Sequence, residues 1–370
     1  MKLWQIAAVT LAGVAYGFFE PGQLTDAFRE LTLYVLLPAL LFEGAWNLDY
    51  RVMRRQWPAI LTLAVPGVAI TALLVAGALS IASVPFGSAL LAGAILSATD
   101  PIAVVAAFRR LRVPRTLRTI VECEALFNDA IAVVLYRTIL LVVMGSAVTA
   151  SDVAVASVTA LGGSVAGIAL GIGIALLAAT ALRNRKNAGL QIATTILCAY
   201  GSYIAGEELH VSGIFAVISS GIALRYFERR WVSWQLAEDV EGFWEVVALF
   251  ANALVFFLTG AALDASRIGN SVWFVLAALA GVAVARGAVS VLLLPAGFPR
   301  SWLAVVRIAG LRGALSLALA LALPASVPFR EQIIVATFAV AIATIVSSTL
   351  TVPPVVARVA RRSRERVYEG

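Results

Sequence analysis

Ser97-Ala98-Thr99-Asp100-Pro101 lies inside an apolar run at 87–108, and its reading decides the fold. Pro101 has no N–H to continue a helix, and its ring disfavours helical geometry at Asp100. The surrounding run is long enough to cross a hydrocarbon core about 30 Å thick. A helix here is expected to break near mid-membrane, and broken backbone survives at that depth only against protein or a water-filled cavity. Thr99 or Asp100 can cap the second half-helix, with Pro101 at its first position. Carbonyl and hydroxyl oxygens and one carboxylate then face a cavity, an arrangement that suits a cation. A plain proline kink would not need the acid.

The same apolar character extends along the whole chain. Of 370 residues, 61% are hydrophobic and 13% charged, against about a quarter charged in soluble domains. The expected fold is an all-α polytopic membrane protein, because the runs are unbroken and lack the alternation of barrel strands. Twelve spans are predicted, at about 3–19, 30–46, 57–81, 87–108, 118–145, 152–181, 187–206, 211–226, 241–263, 271–297, 301–323 and 332–356. The first reads as a retained helix and not a cleaved signal. Residues 226–240 form the longest polar link, and residues 1–357 make one transmembrane domain followed by a short basic tail, 358–370. Cys123 and Cys198 fall within spans and read as free thiols.

Charge tests the span count. With loops placed alternately inside and outside, 21 of the 28 Lys and Arg residues fall inside, and only Arg29, Arg267 and Arg330 outside. A missed helix would reverse that bias beyond the error. Both termini are therefore expected in the cytoplasm, in an inner plasma membrane. The net charge of +7 is topological, so no nucleic-acid partner is expected.

Ionisable residues remain inside the spans, where each costs a few kcal/mol unless paired or wet. Arg307 and Glu245 lie near helix ends and can snorkel. Glu43 reads as a structural polar contact. The run Glu122-Cys123-Glu124-Ala125-Leu126-Phe127-Asn128-Asp129 sets Glu124 four residues before Asn128 and Ala125 four before Asp129, on adjoining stripes of one helix face. Asp129 lies eleven residues beyond Arg118, about 16 Å into the membrane, and Asp100 reaches a similar depth from the same side. In the eleventh span, Gly310-Leu311-Arg312-Gly313-Ala314 flanks a buried Arg with glycines and suits a second interruption. The fourth and eleventh of twelve spans occupy mirrored places, so an inverted repeat with crossing broken helices is expected. Arg286 is the natural counter-charge for a buried Glu.

These residues resemble the monovalent cation/proton antiporter superfamily, in its branch of bacterial sodium/proton antiporters related to animal sodium/hydrogen exchangers. The resemblance rests on Leu37-Pro38-Ala39-Leu40-Leu41-Phe42-Glu43-Gly44-Ala45, Ala98-Thr99-Asp100-Pro101, the Glu-rich run ending Phe127-Asn128-Asp129, and Gly310-Leu311-Arg312-Gly313-Ala314. It implies a secondary transporter and not an enzyme, exchanging H⁺ for Na⁺ or Li⁺ by alternating access in pH and sodium homeostasis. It implies an ion site from Asp129, Asp100, Thr99, Asn128 and Glu124, with Na⁺ at Asp129, Thr99 and Glu124. Glu124 would pair with Arg286, and Arg312 would support the crossing. No resident cofactor or metal is implied, since Na⁺ and H⁺ are cargo, and a homodimer is expected. The family run usually reads Glu-Gly-Glu-Ser; here Cys123 replaces the Gly, and Ala125 replaces a Ser that can ligate. A K⁺/H⁺ antiporter of the same fold and a cation channel are the rival readings. An intramembrane hydrolase finds no plausible metal cluster in the sequence, and His210 belongs to a loop. Asn128 is neutral, so one carboxylate exchanges one Na⁺ for one H⁺, an electroneutral cycle.

Overall fold

The fold comes from a computed structural model that describes residues 3–19, 30–111, 113–145, 150–183, 187–231, 234–261, 271–293 and 298–368. The regular structure within them is helical. The order is α1 (Leu3–Phe19), a π-helical turn (Leu31–Leu36) running into α2 (Leu37–Asn47), α3 (Tyr50–Ile81), α4 (Phe86–Ser97), α5 (Ile102–Arg110), α6 (Arg115–Met144) and α7 (Ala150–Leu182). Then follow α8 (Ala188–Glu208), α9 (Gly213–Trp231), α10 (Trp234–Ala261), α11 (Val272–Leu293), α12 (Arg300–Ile308), α13 (Ala314–Leu321) and α14 (Arg330–Tyr368). Seven of these helices are long and apolar enough to cross a membrane, which makes the chain an all-α polytopic membrane protein. Helix starts follow local chemistry: α4, α6 and α12 each begin directly after a proline, Pro85, Pro114 and Pro299. The Asn187 side chain accepts the Leu190 N–H and caps α8.

Helix extends beyond the expected spans in two places. Within the polar link at 226–240, residues 226–231 belong to α9 and residues 234–240 to α10. Arg225 on α9 bonds Glu228 at 2.7 Å and also meets Glu241 on α10, so the charges hold helical backbone together. The basic tail continues α14 as far as Tyr368, through Pro353 and Pro354. The break anticipated at 206–211 lies between Glu208 and Gly213, where His210 adopts a φ of 57°.

The chain divides into two compact units. The first comprises Met1–Arg29, Arg51–Ser146 and Val255–Gly370. It holds α1, α3 to α6, the end of α10, and α11 to α14. Its helices meet closely through small residues. A Cβ added at Gly13 or Gly17 of α1 would collide with the carbonyls of Phe257 and Ala261. Ile6, Phe256, Leu311 and Ile345 pack together as a buried cluster. Twice in this unit a long helix is followed by two short helices and another long one: α3, α4, α5, α6, and again α11, α12, α13, α14.

The second unit comprises Glu30–Tyr50 and Ala147–Leu254. α7 packs on α9 through Gly167 and Gly171, whose missing side chains admit the Ser212 and Ala216 carbonyls. Phe42 stands between Trp46 and Trp244, with ring centroids 5.8 and 4.8 Å away. Trp244 Nε1 donates to Thr195 at 3.0 Å, and the Arg225 guanidinium lies 5.0 Å over the Trp46 ring. Glu43 accepts from Asn47 Nδ2 at 2.7 Å. Cys123 of the first unit and Cys198 of the second are both free and buried.

Close helix contact in the first unit makes a direct prediction. A Cβ at Gly93 of α4 would strike the backbone of Ala72 on α3, whereas one at Gly77 would meet nothing within 4 Å. Gly93→Ala should lower unfolding free energy in detergent by about 1–3 kcal/mol. Gly77→Ala should leave it unchanged or raise it by up to about 1 kcal/mol. Thermal melts of the two variants compare them directly.

Candidate functional site

The chain leaves helical geometry between Ser97 and Ile102. Ala98 is extended at φ −59° and ψ 137°, and Pro101 turns back at ψ 2°. A second departure separates α12 from α13, with Ala309 at ψ −6° and Gly313 extended. The two interruptions touch. The Asp100 N–H donates to the Leu311 carbonyl at 2.9 Å, forming an isolated antiparallel bridge. Ser316 Oγ donates to the Ala98 carbonyl at 3.4 Å. Backbone groups that lose helical partners are thus met by the other interruption.

The exposed helix ends are capped by charges of complementary sign. Asp100 Oδ1 accepts the Ile102 N–H at 2.9 Å, placing a carboxylate at the positive end of α5. The cap is Asp100 alone, and Pro101 precedes the first helical residue. Thr99 turns the other way, toward α6. At the negative end of α12, Arg286 Nη2 donates to the Val306 carbonyl at 2.9 Å. Arg312 Nη1 donates to the Gly310 carbonyl at 2.9 Å. The glycines make room. A Cβ at Gly310 would overlap the Arg286 guanidinium, and one at Gly313 would lie 2.7 Å from Asp100 Cβ.

α6 supplies the remaining polar groups. Asn128 Nδ2 donates to Thr99 Oγ1 at 3.2 Å. The Thr99 N–H faces the Asp129 carboxylate, which has Asp100, Glu124 and Arg312 as its charged neighbours. Glu124 accepts from Arg286 Nη1 at 3.1 Å, and both side chains are buried. Glu124 therefore faces its arginine, on a different side of α6 from Asp129. Five positions apart at about 100° per residue, the two point about 140° from one another. Thr99, Glu124, Asn128, Arg286 and Arg312 are all buried, while Asp100 and Asp129 are partly accessible.

Sequence reasoning missed one supporting group. Thr344 on α14 accepts the Arg312 N–H at 3.3 Å and donates to the Ala341 carbonyl at 2.9 Å. It fixes the backbone of the second interruption from a neighbouring helix. The available signal is the hydroxyl-rich stretch Thr344, Ser347, Ser348, Thr349 and Thr351 in an otherwise apolar helix. Arg307 and Glu245 are exposed, and so is His210, far in character from the buried cluster.

The Glu124–Arg286 pair is buried on both sides. Neutralising either partner strands a buried charge and should cost roughly 3–5 kcal/mol. Glu124→Gln and Arg286→Gln should each lower the melting temperature in detergent, and the double variant should recover part of the loss. Strictly additive losses in this double-mutant cycle would reject the pairing.

Comparison with known proteins agrees with this architecture. The family model for the sodium/hydrogen exchanger transmembrane region matches residues 2–358. The Na⁺/H⁺ antiporter ApNhaP of Aphanothece halophytica is 31% identical over 97% of this chain and 71% of its own length. The low-affinity Na⁺/H⁺ antiporter NhaS1 of Synechocystis is 32% identical, over 93% of this chain and 67% of its own. The Na⁺/H⁺ antiporter NhaP of Pseudomonas aeruginosa is 33% identical, with 90% and 82% covered. Among solved structures, the sodium proton antiporter MjNhaP1 of Methanocaldococcus jannaschii superposes with a TM-score of 0.75. Its identity is 21%, over 96% of this chain and 91% of that one, so the likeness concerns the fold. The full-length match of the family model and the relatives above 30% identity place this chain in the sodium/hydrogen exchanger family.

Proposed function

We propose that the chain exchanges Na⁺ for H⁺ across the plasma membrane by alternating access. The observation that carries this reading is the meeting of two helix interruptions beside a partly accessible Asp129. Relatives that this chain matches over 90% or more of its own length are Na⁺/H⁺ antiporters. Asp129 is the exchanging group: its carboxylate holds either a proton or a dehydrated Na⁺, and the two compete for the same oxygens. Thr99 adds oxygen ligands, and Asn128 holds the Thr99 hydroxyl in place. Asp100 is engaged at the α5 terminus, and Glu124 acts on the site through its charge while Arg286 holds one of its oxygens.

The chain in this reading has twelve spans. α4 with α5, and α12 with α13, each form one interrupted span, and the two four-helix sequences are inverted repeats. The repeated order of long and short helices, three spans in each set, supports that assignment. The concentration of basic residues in alternate loops supports cytoplasmic termini.

The decisive experiment is dye-reported proton flux in proteoliposomes on addition of Na⁺, Li⁺ or K⁺. Proton release driven by Na⁺ is expected. A response to K⁺ alone would assign a K⁺/H⁺ antiporter, and conduction without countertransport would assign a channel. Asp129→Asn keeps the shape of the side chain but can neither release a proton nor neutralise Na⁺. Its exchange should fall to the background of empty liposomes, and near wild-type exchange would remove Asp129 from the site.

Stoichiometry rests on the neutral Asn128 beside Asp129. With one exchanging carboxylate, the loaded carrier has the same net charge in both half-cycles. Imposing a potential with potassium and valinomycin at fixed ion gradients should leave the sodium/proton reversal point unmoved. A reversal point that follows the potential would require a second coupled charge.

A further inference from the structure

Burial along α6 singles out three residues. From Leu117 to Ala130 every residue is buried except Arg118, Glu122 and Asp129. At about 100° per residue, positions 118, 122 and 129 fall within an arc of about 40°. The accessible residues of this stretch therefore lie on a narrow line, and each of the three is charged. Arg118 Nε donates to Glu122 Oε1 at 2.8 Å, with the two side chains 39% and 15% exposed. Between Glu122 and Asp129 the same line carries Ala125, whose side chain is a single methyl group.

Accessible charged side chains on a membrane-spanning helix face water, because hydrocarbon contact would cost several kcal/mol. An accessible carboxylate at the helix entrance alone could be an interfacial ornament. Here the line begins with Arg118 in the first turn of α6, continues one turn deeper with Glu122, and ends on Asp129, about 10 Å beyond Glu122 at about 1.5 Å per residue. The geometry points to a hydrated approach along this face of α6, in which Glu122 collects the monovalent cation and passes it to Asp129, with Arg118 as the tethered cation that the incoming ion displaces. The inference rests on Na⁺/H⁺ exchange at Asp129 and adds a loading residue on one side of the membrane.

The pairing suits such a role. Arg118 and a hydrated Na⁺ compete for the same Glu122 oxygens, and a pair whose arginine is 39% exposed is weak enough to open. Glu124, two residues on, cannot serve: it is buried and held by Arg286. A carboxylate in a narrow approach raises the local cation concentration, an effect on loading that salt screens.

The test is sided kinetics in proteoliposomes of known orientation, with Na⁺ varied on one side at a time. Glu122→Gln should weaken the apparent Na⁺ affinity about threefold to tenfold from the side on which the Arg115 end of α6 opens. Affinity from the opposite side and the maximal rate should stay within about twofold, a spread taken from screened surface electrostatics. Glu122→Asp should restore most of the affinity. Arg118→Gln should tighten it, and added choline chloride should shrink both effects. Equal shifts on both sides, or no shift on either, would overturn the assignment, as would loss of maximal rate uncorrected by Glu122→Asp, which a purely structural role predicts. Absence of exchange in the unsubstituted protein would instead remove the underlying antiport reading.

Discussion

The hydrogen bond from the Asp100 N–H to the Leu311 carbonyl is the contact on which the site depends. Inside hydrocarbon, an unpaired peptide group costs several kcal/mol, so a helix can be opened at mid-depth only if something else meets its backbone. Here each interruption meets the other. The exchange frees the Thr99 side chain and the Asp100 carboxylate from helical surroundings and aims them at α6 and at the α5 terminus. Gly313 is required because Asp100 occupies the space a side chain would take.

Charge is partitioned around that bridge by helix ends. Asp100 caps the positive end of α5, and Arg286 reaches the carbonyls at the negative end of α12. Arg286 also neutralises Glu124, so one guanidinium settles a buried acid and an open helix terminus together. Asp129 differs from these groups. The Thr99 N–H faces it, but its charged neighbours are mostly acids, and it keeps access to the surroundings. A carboxylate held among other carboxylates suits the exchanging role proposed for Asp129.

Much of this was legible in the sequence because membranes punish exceptions. Composition alone fixes a helical membrane protein, and Pro101 marks the place where α4 ends and α5 begins. The glycines around Arg312 mark the second interruption for a similar reason: only a residue without a side chain leaves room for Arg286 and Asp100. What stayed hidden was partnership between helices remote in the chain. Nothing local reveals that Thr344 serves the Arg312 backbone. The four-residue spacing paired Glu124 with Asn128 and Ala125 with Asp129, but it did not show that α6 turns Glu124 toward Arg286 and leaves Asp129 accessible. The polar stretch at 226–240 read as a link between spans because charged residues usually leave helices at membrane surfaces; its described residues belong to α9 and α10, with Arg225 meeting Glu228 and Glu241.

The contact between the interruptions also has a history in time. Ala98 and Ser316, bonded in the finished fold, are 218 positions apart. At translation rates of about 5–20 residues per second, the first interruption leaves the ribosome roughly ten to forty seconds before its partner exists. During that interval the open peptide groups near Thr99 and Asp100 have no Leu311 to meet and cannot rest in bare lipid. The nascent chain must keep this segment at the water boundary, inside the insertion machinery, or in a provisional continuous helix strained at Pro101. Biogenesis is thus tied to the order in which the chain is made, and the step that joins the two interruptions is among the last that assembly can take.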